Sequence, residues 1–211
     1  MPTKQKITKE MILESAYELV RERGIDSVNS RNVTNLIGCS TQPIFSQFST
    51  MEELRKGVFK YACSKGTAQI LIHENEADFM NQTTLWVIHL AREEPNLFKL
   101  IYLSNYFEDI KGMDGKMDCE SNEKISQKLM ELFSLPESAC QDIFRRGYLI
   151  LHGIATMIAV NRAEFSDEEV LEMTMQTTKD MVQGVRERQA ENGQPHKSQK
   201  SLLKVAERMK K

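Results

Sequence analysis

The sequence predicts an all-α chain, and three observations carry that prediction. Apolar residues recur at helical spacing along most of its length, and Ser, Thr and Asn stand where helix caps belong. Glycine and proline are few, 10 and 5 in 211 residues, while 27% of the chain is charged. The length suffices for one large or two small domains with a proper core. The predicted division is a small N-terminal three-helix domain over residues 1–50, a larger helical domain over residues 51–191, and a basic tail over residues 192–211.

The first helix is expected over Lys9 to Arg23, capped by Thr8. Ile12, Ala16, Leu19 and Val20 form its apolar stripe, Arg21 and Arg23 sit where the helix dipole favours cations, and Gly24 ends it. Asn29 to Leu54 then read as two short helices, a break and a third helix start. Asn29 can cap the first of these, and Val33, Leu36 and Ile37 are expected on its inward face. Gly38 falls where a helix must stop, because glycine takes the left-handed conformation without a Cβ penalty. Ser40 is the expected next cap, with Pro43 in the first turn, where its missing N–H matters little. Ile44, Phe45 and Phe48 are assigned to the buried side, and Ser49 or Thr50 caps the following helix ahead of Glu52 and Glu53. Two helices joined by a glycine-containing turn are the helix-turn-helix pattern, whose second helix enters the DNA major groove.

A fourth helix is expected from Met51 to about His73, with Gly57 and Gly66 weighing against a straight course. Another runs from Ala77 to Glu94, and Pro95 opens a short one that is apolar nearly all round and therefore buried. Lys111 to Asn122 reads as a charged surface loop, followed by a helix over Glu123 to Phe133. Glu137 to Asn161 is the longest apolar stretch. Ser166 with Glu169 forms a capping box for a last long helix reaching about Gln189. Beyond it, Leu202, Val205, Ala206 and Met209 give the basic tail an amphipathic pattern, too short to hold alone as a helix.

Composition narrows the function classes. Residues 1–60 carry nine Lys/Arg against seven Asp/Glu, residues 61–192 thirteen against 22, and residues 193–211 six against one. A mildly basic head on an acidic body suits a nucleic-acid-binding module joined to a domain that does not bind it. No run of about 18 apolar residues exists and the N-terminus lacks an apolar signal core, so a cytoplasmic protein without membrane contact is expected. Four scattered cysteines suggest reduced thiols rather than a disulfide framework, and the four histidines lack metal-ligand spacing. There is no phosphate-cradling glycine loop and no nucleophile elbow, so neither an enzyme nor a cofactor (none) is expected.

The stretch Ile12 to Phe59 resembles the N-terminal domain of the tetracycline-repressor (TetR) family. The likeness lies in Ile12, Ala16, Leu19 and Gly24, in Ser30, Arg31 and Val33, in Gly38, Cys39 and Ser40, and in Ile44, Phe45, Phe48, Glu53 and Leu54. Thr34 stands where alanine is usual, and Met51 where a lysine that commonly touches phosphate is usual. The tract Tyr148 to Ala155 is similar to the penultimate helix of a subgroup with a His-Gly pair, here His152 and Gly153.

The resemblance implies a helix-turn-helix head followed by a larger helical ligand-binding and dimerisation domain. It implies a homodimeric regulator, most often a repressor, bound to a pseudopalindromic operator in double-stranded DNA. The recognition helix is then Thr41 to Gln47. Thr41 and Gln42 can hydrogen-bond base edges, Pro43 can make only apolar contact, and Ser46 and Gln47 reach base or phosphate. Arg31 matches a family position able to contact guanine. Dimerisation through Glu137 to Asn161 and Ser166 to Gln189 is the family's arrangement, and charges at Met157 and Val182 should break it if those side chains face the partner rather than the core; the bland alternative is that these helices close a monomeric core. An apolar or amphipathic small-molecule effector is implied too, in a pocket lined by Trp86, His89, Phe98, Tyr102, Tyr106, Phe107, Tyr148, His152 and Met157. Aromatics at such spacing are equally what a plain core contains. The alternative function is a helical interaction module whose helix-turn-helix has lost base recognition.

Overall fold

The computed structural model describes residues 7–70, 76–107 and 130–191, and every regular element among them is helical. They are α1 (Lys9–Arg23), a 3-10 turn (Ile25–Ser27), α2 (Ser30–Ile37), α3 (Gln42–Gln47), α4 (Met51–Ile70) and α5 (Glu76–Glu93). A short α6 (Pro95–Phe98) continues as a π-helical turn (Lys99–Leu103) and a 3-10 turn (Asn105–Phe107), followed by α7 (Glu137–Ala159) and α8 (Asp167–Glu191). The expected loop of Lys111 to Asn122, most of the helix expected over Glu123 to Phe133, the last residues of the long fourth helix and the basic tail lie outside the described residues.

Local chemistry sets the ends of these helices. Thr8 Oγ1 accepts from the Met11 N–H at 3.2 Å, as a cap must. The Ser166 hydroxyl accepts from the Glu169 N–H at 3.2 Å while Glu169 accepts from the Ser166 N–H at 2.8 Å, closing the capping box. Asn161 ends α7 with a left-handed φ of 53°, a conformation asparagine tolerates better than most residues.

The head is organised by α1, whose stripe of Ile12, Ala16, Leu19 and Val20 is buried against Val33, Ile44, Phe48, Leu54 and Val58. Two expectations fail there. Leu36 is 56% exposed and Phe45 50% exposed, although both were assigned inward. On so short a helix the inward side is fixed by the neighbour, and beside Val33 it is Thr34 that turns in. Thr34 satisfies its hydroxyl by donating to the Arg31 carbonyl at 3.0 Å, so burial leaves no orphaned donor.

Head and body share that core. Leu97, Leu100 and Ile101, from the segment opened by Pro95, belong to the same apolar cluster as the α1 stripe. Polar ties reinforce the junction: Arg21 Nε donates to Glu94 Oε1 at 2.7 Å, and Asn96 Nδ2 donates to the Arg21 carbonyl at 3.2 Å. The body's own cluster joins Val87, Ile88 and Ala91 of α5 to Phe98, to Ala155, Ile158 and Ala159 of α7, and to Val170 of α8. A third cluster, Leu135, Cys140, Ile143, Val182 and Val185, closes the far end. Of the two placements open to Val182, partner or core, it takes the core one, at 7% exposure.

α8 is fastened to α5 at its first turn. Asp167 Oδ2 lies 2.6 Å from His89 Nε2, Asp167 Oδ1 accepts from Arg92 Nη1 at 2.8 Å, and Arg92 Nη2 donates to the Phe165 carbonyl at 2.9 Å. The His89 hydrogen bond, then that from Arg92, holds the Asp167 carboxyl below its ordinary value of 3.8. A carboxylate favoured in the folded state contributes stability above its unfolded pKa and loses that contribution as pH falls through the folded one. Asp167→Asn should therefore lower the melting temperature at pH 7, with the difference from wild type shrinking as pH falls below the ordinary carboxylate value; equal melting at pH 7 would count against this tie.

One glycine marks a close helix crossing. A Cβ on Gly66 would lie 2.4 Å from Cζ2 of Trp86, inside any real contact, so α4 meets the indole of α5 only because the side chain is missing. Alanine normally gains roughly 0.5–1 kcal/mol over glycine within a helix. At Gly66 overpacking should reverse the sign, and Gly66→Ala should destabilise by about 1–2 kcal/mol in urea unfolding; a stabilised variant would refute the crossing.

Candidate functional site

The turn between α1 and α2 is held rigidly. The Ser27 hydroxyl bonds the Leu19 and Gly24 carbonyls at 3.0 and 2.6 Å, and Asn32 Nδ2 donates to the Ser27 carbonyl at 2.8 Å. Asn29 Oδ1 accepts from the Asn32 N–H at 2.9 Å, giving α2 the expected cap. Arg31, second in α2, is exposed. Gly38 takes the left-handed conformation, φ 75° and ψ 36°, and donates to the Thr34 carbonyl at 2.8 Å.

α3 is only six residues long and is anchored by fully buried Ile44 and, just past its end, by Phe48. Its cap position is Thr41 rather than the expected Ser40, and the Thr41 side chain makes no capping bond. Thr41, Gln42, Ser46 and Gln47 are exposed and Pro43 is half-buried in the first turn. Helical spacing sets Gln42, Phe45 and Ser46 on the side away from Ile44. The Ser46 hydroxyl donates to the Pro43 carbonyl at 2.8 Å, so it meets a ligand as an acceptor. A capping box orients the exit: Glu53 N–H donates to Thr50 Oγ1 at 3.1 Å, and Ser49 N–H to Glu53 Oε2 at 2.7 Å.

α3 carries no ionisable side chain. Its outward groups are amides, a hydroxyl and apolar surface, a set able to hydrogen-bond base edges or phosphate oxygens. Arg31 brings a cation from α2, and Lys9 Nζ lies 5.0 Å over the Phe48 ring at the start of α1. The sequence leaves Phe45 ambiguous between core packing and DNA contact, and the structure turns it outward. Its position one residue after buried Ile44, about 100° round the helix, was the available signal.

In the body, Trp86 of α5, Phe98 of α6, Tyr102 of the π-turn, and Tyr148 and His152 of α7 come together. Phe98 and Tyr102 have ring centroids 5.1 Å apart, Tyr102 and His152 5.7 Å, and Trp86 and Tyr102 6.4 Å. Tyr148 stacks on His152 at 5.5 Å with planes 16° apart, and Phe144 extends the stack at 6.4 Å. Burial pushes the Tyr148 hydroxyl up to about 12. Burial also raises that of Tyr102, with Tyr148 adding to the effect. Both phenols therefore remain neutral hydrogen-bond donors. Among the described residues, the buried Thr156 hydroxyl, one turn beyond His152, has no hydrogen-bond partner.

The other expected lining residues lie elsewhere. His89 is taken by Asp167, and Tyr106 packs against the head cluster, where burial raises its pKa. Met157 is 45% exposed, and the Phe107 side chain lies outside the described residues. Phe144 is the member that spacing did not suggest. Among the described residues, no group of three or more His, Cys, Asp or Glu is placed to hold a metal ion. No helix among them is long and apolar enough to cross a membrane.

No protein-family model matches the chain, and neither does any curated protein. Solved structures do match it. A TetR-family protein from Vibrio parahaemolyticus superposes with a TM-score of 0.59 at 16% identity, over 82% of this chain and 97% of that one. A TetR variant from Acinetobacter baumannii, in complex with minocycline, superposes with a TM-score of 0.57 at 12% identity, over 86% of this chain and 98% of that one. Helix order, the helix-turn-helix head and these superpositions agree: the chain has the fold of the TetR family.

Proposed function

We propose that this chain is a dimeric, sequence-specific transcriptional regulator, a repressor that leaves its operator when an apolar or amphipathic small molecule enters the body. The observation that carries this reading is α3: six residues anchored inward by Ile44 and Phe48, with Gln42 and Ser46 turned out. In this reading residues 1–50 bind double-stranded DNA, residues 51–191 bind ligand and dimerise, and the protein works in the cytoplasm without membrane contact. The effector site is the cluster of Trp86, Phe98, Tyr102, Tyr148 and His152, supported by the minocycline complex of a protein with the same fold. Ligand favours one body shape and shifts the population away from the DNA-competent one.

Dimerisation follows from the target. Two recognition helices must lie about 34–36 Å apart to read one side of DNA, and a two-fold pair supplies that. On α7 and at its C-cap, Leu149, Ile150, Met157 and Val160 are exposed apolar residues on one stripe with the exposed Gly153, a surface suited to a second copy. Leu149→Glu with Met157→Glu should turn a wild-type dimer into a monomer in analytical ultracentrifugation. A wild-type monomer at micromolar concentration would overturn the dimer.

The uncharged α3 and the exposed Leu36 and Phe45 favour a second reading, a helical interaction module that no longer reads bases. Selection of duplexes from the source genome separates the two. A regulator retains a pseudopalindromic site far above random DNA, and Arg31→Ala and Gln42→Ala each weaken that site by about 1–3 kcal/mol. Wild-type affinity and selectivity in both variants would refute the docking of α3 and α2.

A further inference from the structure

A threonine beside the aromatic cluster behaves unlike other helical threonines of the chain. Thr83, Thr174, Thr177 and Thr178 each donate to the carbonyl four residues before, at 2.7 to 2.8 Å. Thr156 of α7 makes no such bond: its oxygen is buried and has no partner among the described residues. A hydroxyl taken out of water without a partner costs free energy that a bound acceptor would recover. Thr156 follows His152 by four residues, which sets the two side chains next to each other on one face of α7. His152 in turn lies 6.0 Å from Phe98 and 5.7 Å from Tyr102, ring centre to ring centre. Tyr102 belongs to the π-helical turn, an irregularity frequent at functional sites.

Resting on the reading of this cluster as the effector site, we propose that it takes an uncharged, flat aromatic molecule bearing a carbonyl, whose oxygen accepts from the Thr156 hydroxyl. The lack of charge follows from what surrounds the phenols. Burial is the first cause of the raised pKa of both Tyr102 and Tyr148, and the side chains that add to it at Tyr102 are Tyr148 and Cys63. Among the described residues no Lys, Arg, Asp or Glu acts on either phenol, so an ion entering there would lose its hydration without meeting a counter-charge. Flatness follows from the rings. The planes of Phe98 and His152 are 31° apart and those of Tyr148 and His152 16° apart, so nearly parallel faces are offered from α6 and α7. Aromatic molecules meet such faces in offset stacks. The carbonyl follows from Thr156, a donor that a pure hydrocarbon would leave orphaned. A carbonyl conjugated to the ring holds its lone pairs in the molecular plane, so stacking and hydrogen bonding are made together.

The test uses the full chain and a matched set of probes: fluorenone, fluorene, which lacks the carbonyl, and fluorenone carboxylate, which adds a charge. Equilibrium dialysis gives the affinities. Quenching of Trp86, the chain's only tryptophan and 6.4 Å from Tyr102, reports where a probe sits. Fluorenone should bind and quench, and its carboxylate should bind more weakly by about tenfold or more. Thr156→Val exchanges the hydroxyl for a methyl of similar size; it should lose about fivefold for fluorenone and nothing for fluorene, while Thr156→Ser keeps the ketone. Without any probe, Thr156→Val should melt about 2–4 °C higher, because the unpaired donor is gone, a sign that a merely structural threonine would not give. Equal binding of ketone and carboxylate by the wild type overturns the proposal and needs no variant. So do absence of Trp86 quenching by fluorenone, full ketone affinity in Thr156→Val, and a melting temperature that fails to rise. None of these assays contains DNA. A chain that binds the ketone in this way yet selects no duplex above random DNA overturns the regulator reading alone; one that selects a duplex but ignores the ketone overturns this proposal alone.

Discussion

Leu97, Leu100 and Ile101 are buried in the head's core although they enter the chain after two long helices. Three short helices in some fifty residues have little apolar surface to close on, and small domains bury a correspondingly small fraction of their chain. Here the deficit is met from the body. Pro95 opens a new short helix straight after α5, the following residues lie across α1, and Arg21, Glu94 and Asn96 tie the crossing at its polar rim. The attitude of α1, and through its stripe that of α2 and α3, is set by where this segment lies. A cut after residue 50 runs through continuous packing, since Leu54, Val58, Phe59 and Ala62 of α4 belong to the same cluster.

What the sequence made legible was local. Thr8, Asn29, Gly38 and the Ser166–Glu169 box mark helix ends through hydrogen bonds spanning three or four residues, so the residues that decide them are adjacent in the chain. Long helices were equally readable, because a stripe repeated over several turns leaves one side inward. The faces of α2 and α3 were not. With eight and six residues each has too few turns to average over, and Leu36, Thr34 and Phe45 exchanged their expected places according to where α1 lies.

The aromatic candidates divided for a comparable reason. Helical spacing along α7 already paired Tyr148 with His152, and they do stack. His89 belonged to the same expectation, but Asp167 lies 78 residues away in sequence and claims its Nε2. Tyr106 follows a π-turn, and the extra residue in that turn shifts every later side chain round the axis relative to an α-helical count. No pattern in the residues announces such a shift. Met157 on α7 is exposed and lines no pocket, whereas Val182 on α8 closes the end of the body against Cys140 and Ile143.

Trp86, Leu90 and Tyr102 flank both the head cluster and the body cluster. Such shared members deny either cluster a private boundary: the head cannot open along α6 without stripping neighbours from the indole and phenol that also line the body. In the language of hydrogen exchange, such shared packing places the slowest amides of α1 and those of α5 in one expected foldon. Opening of the head and opening of the body are thereby coupled through these three side chains.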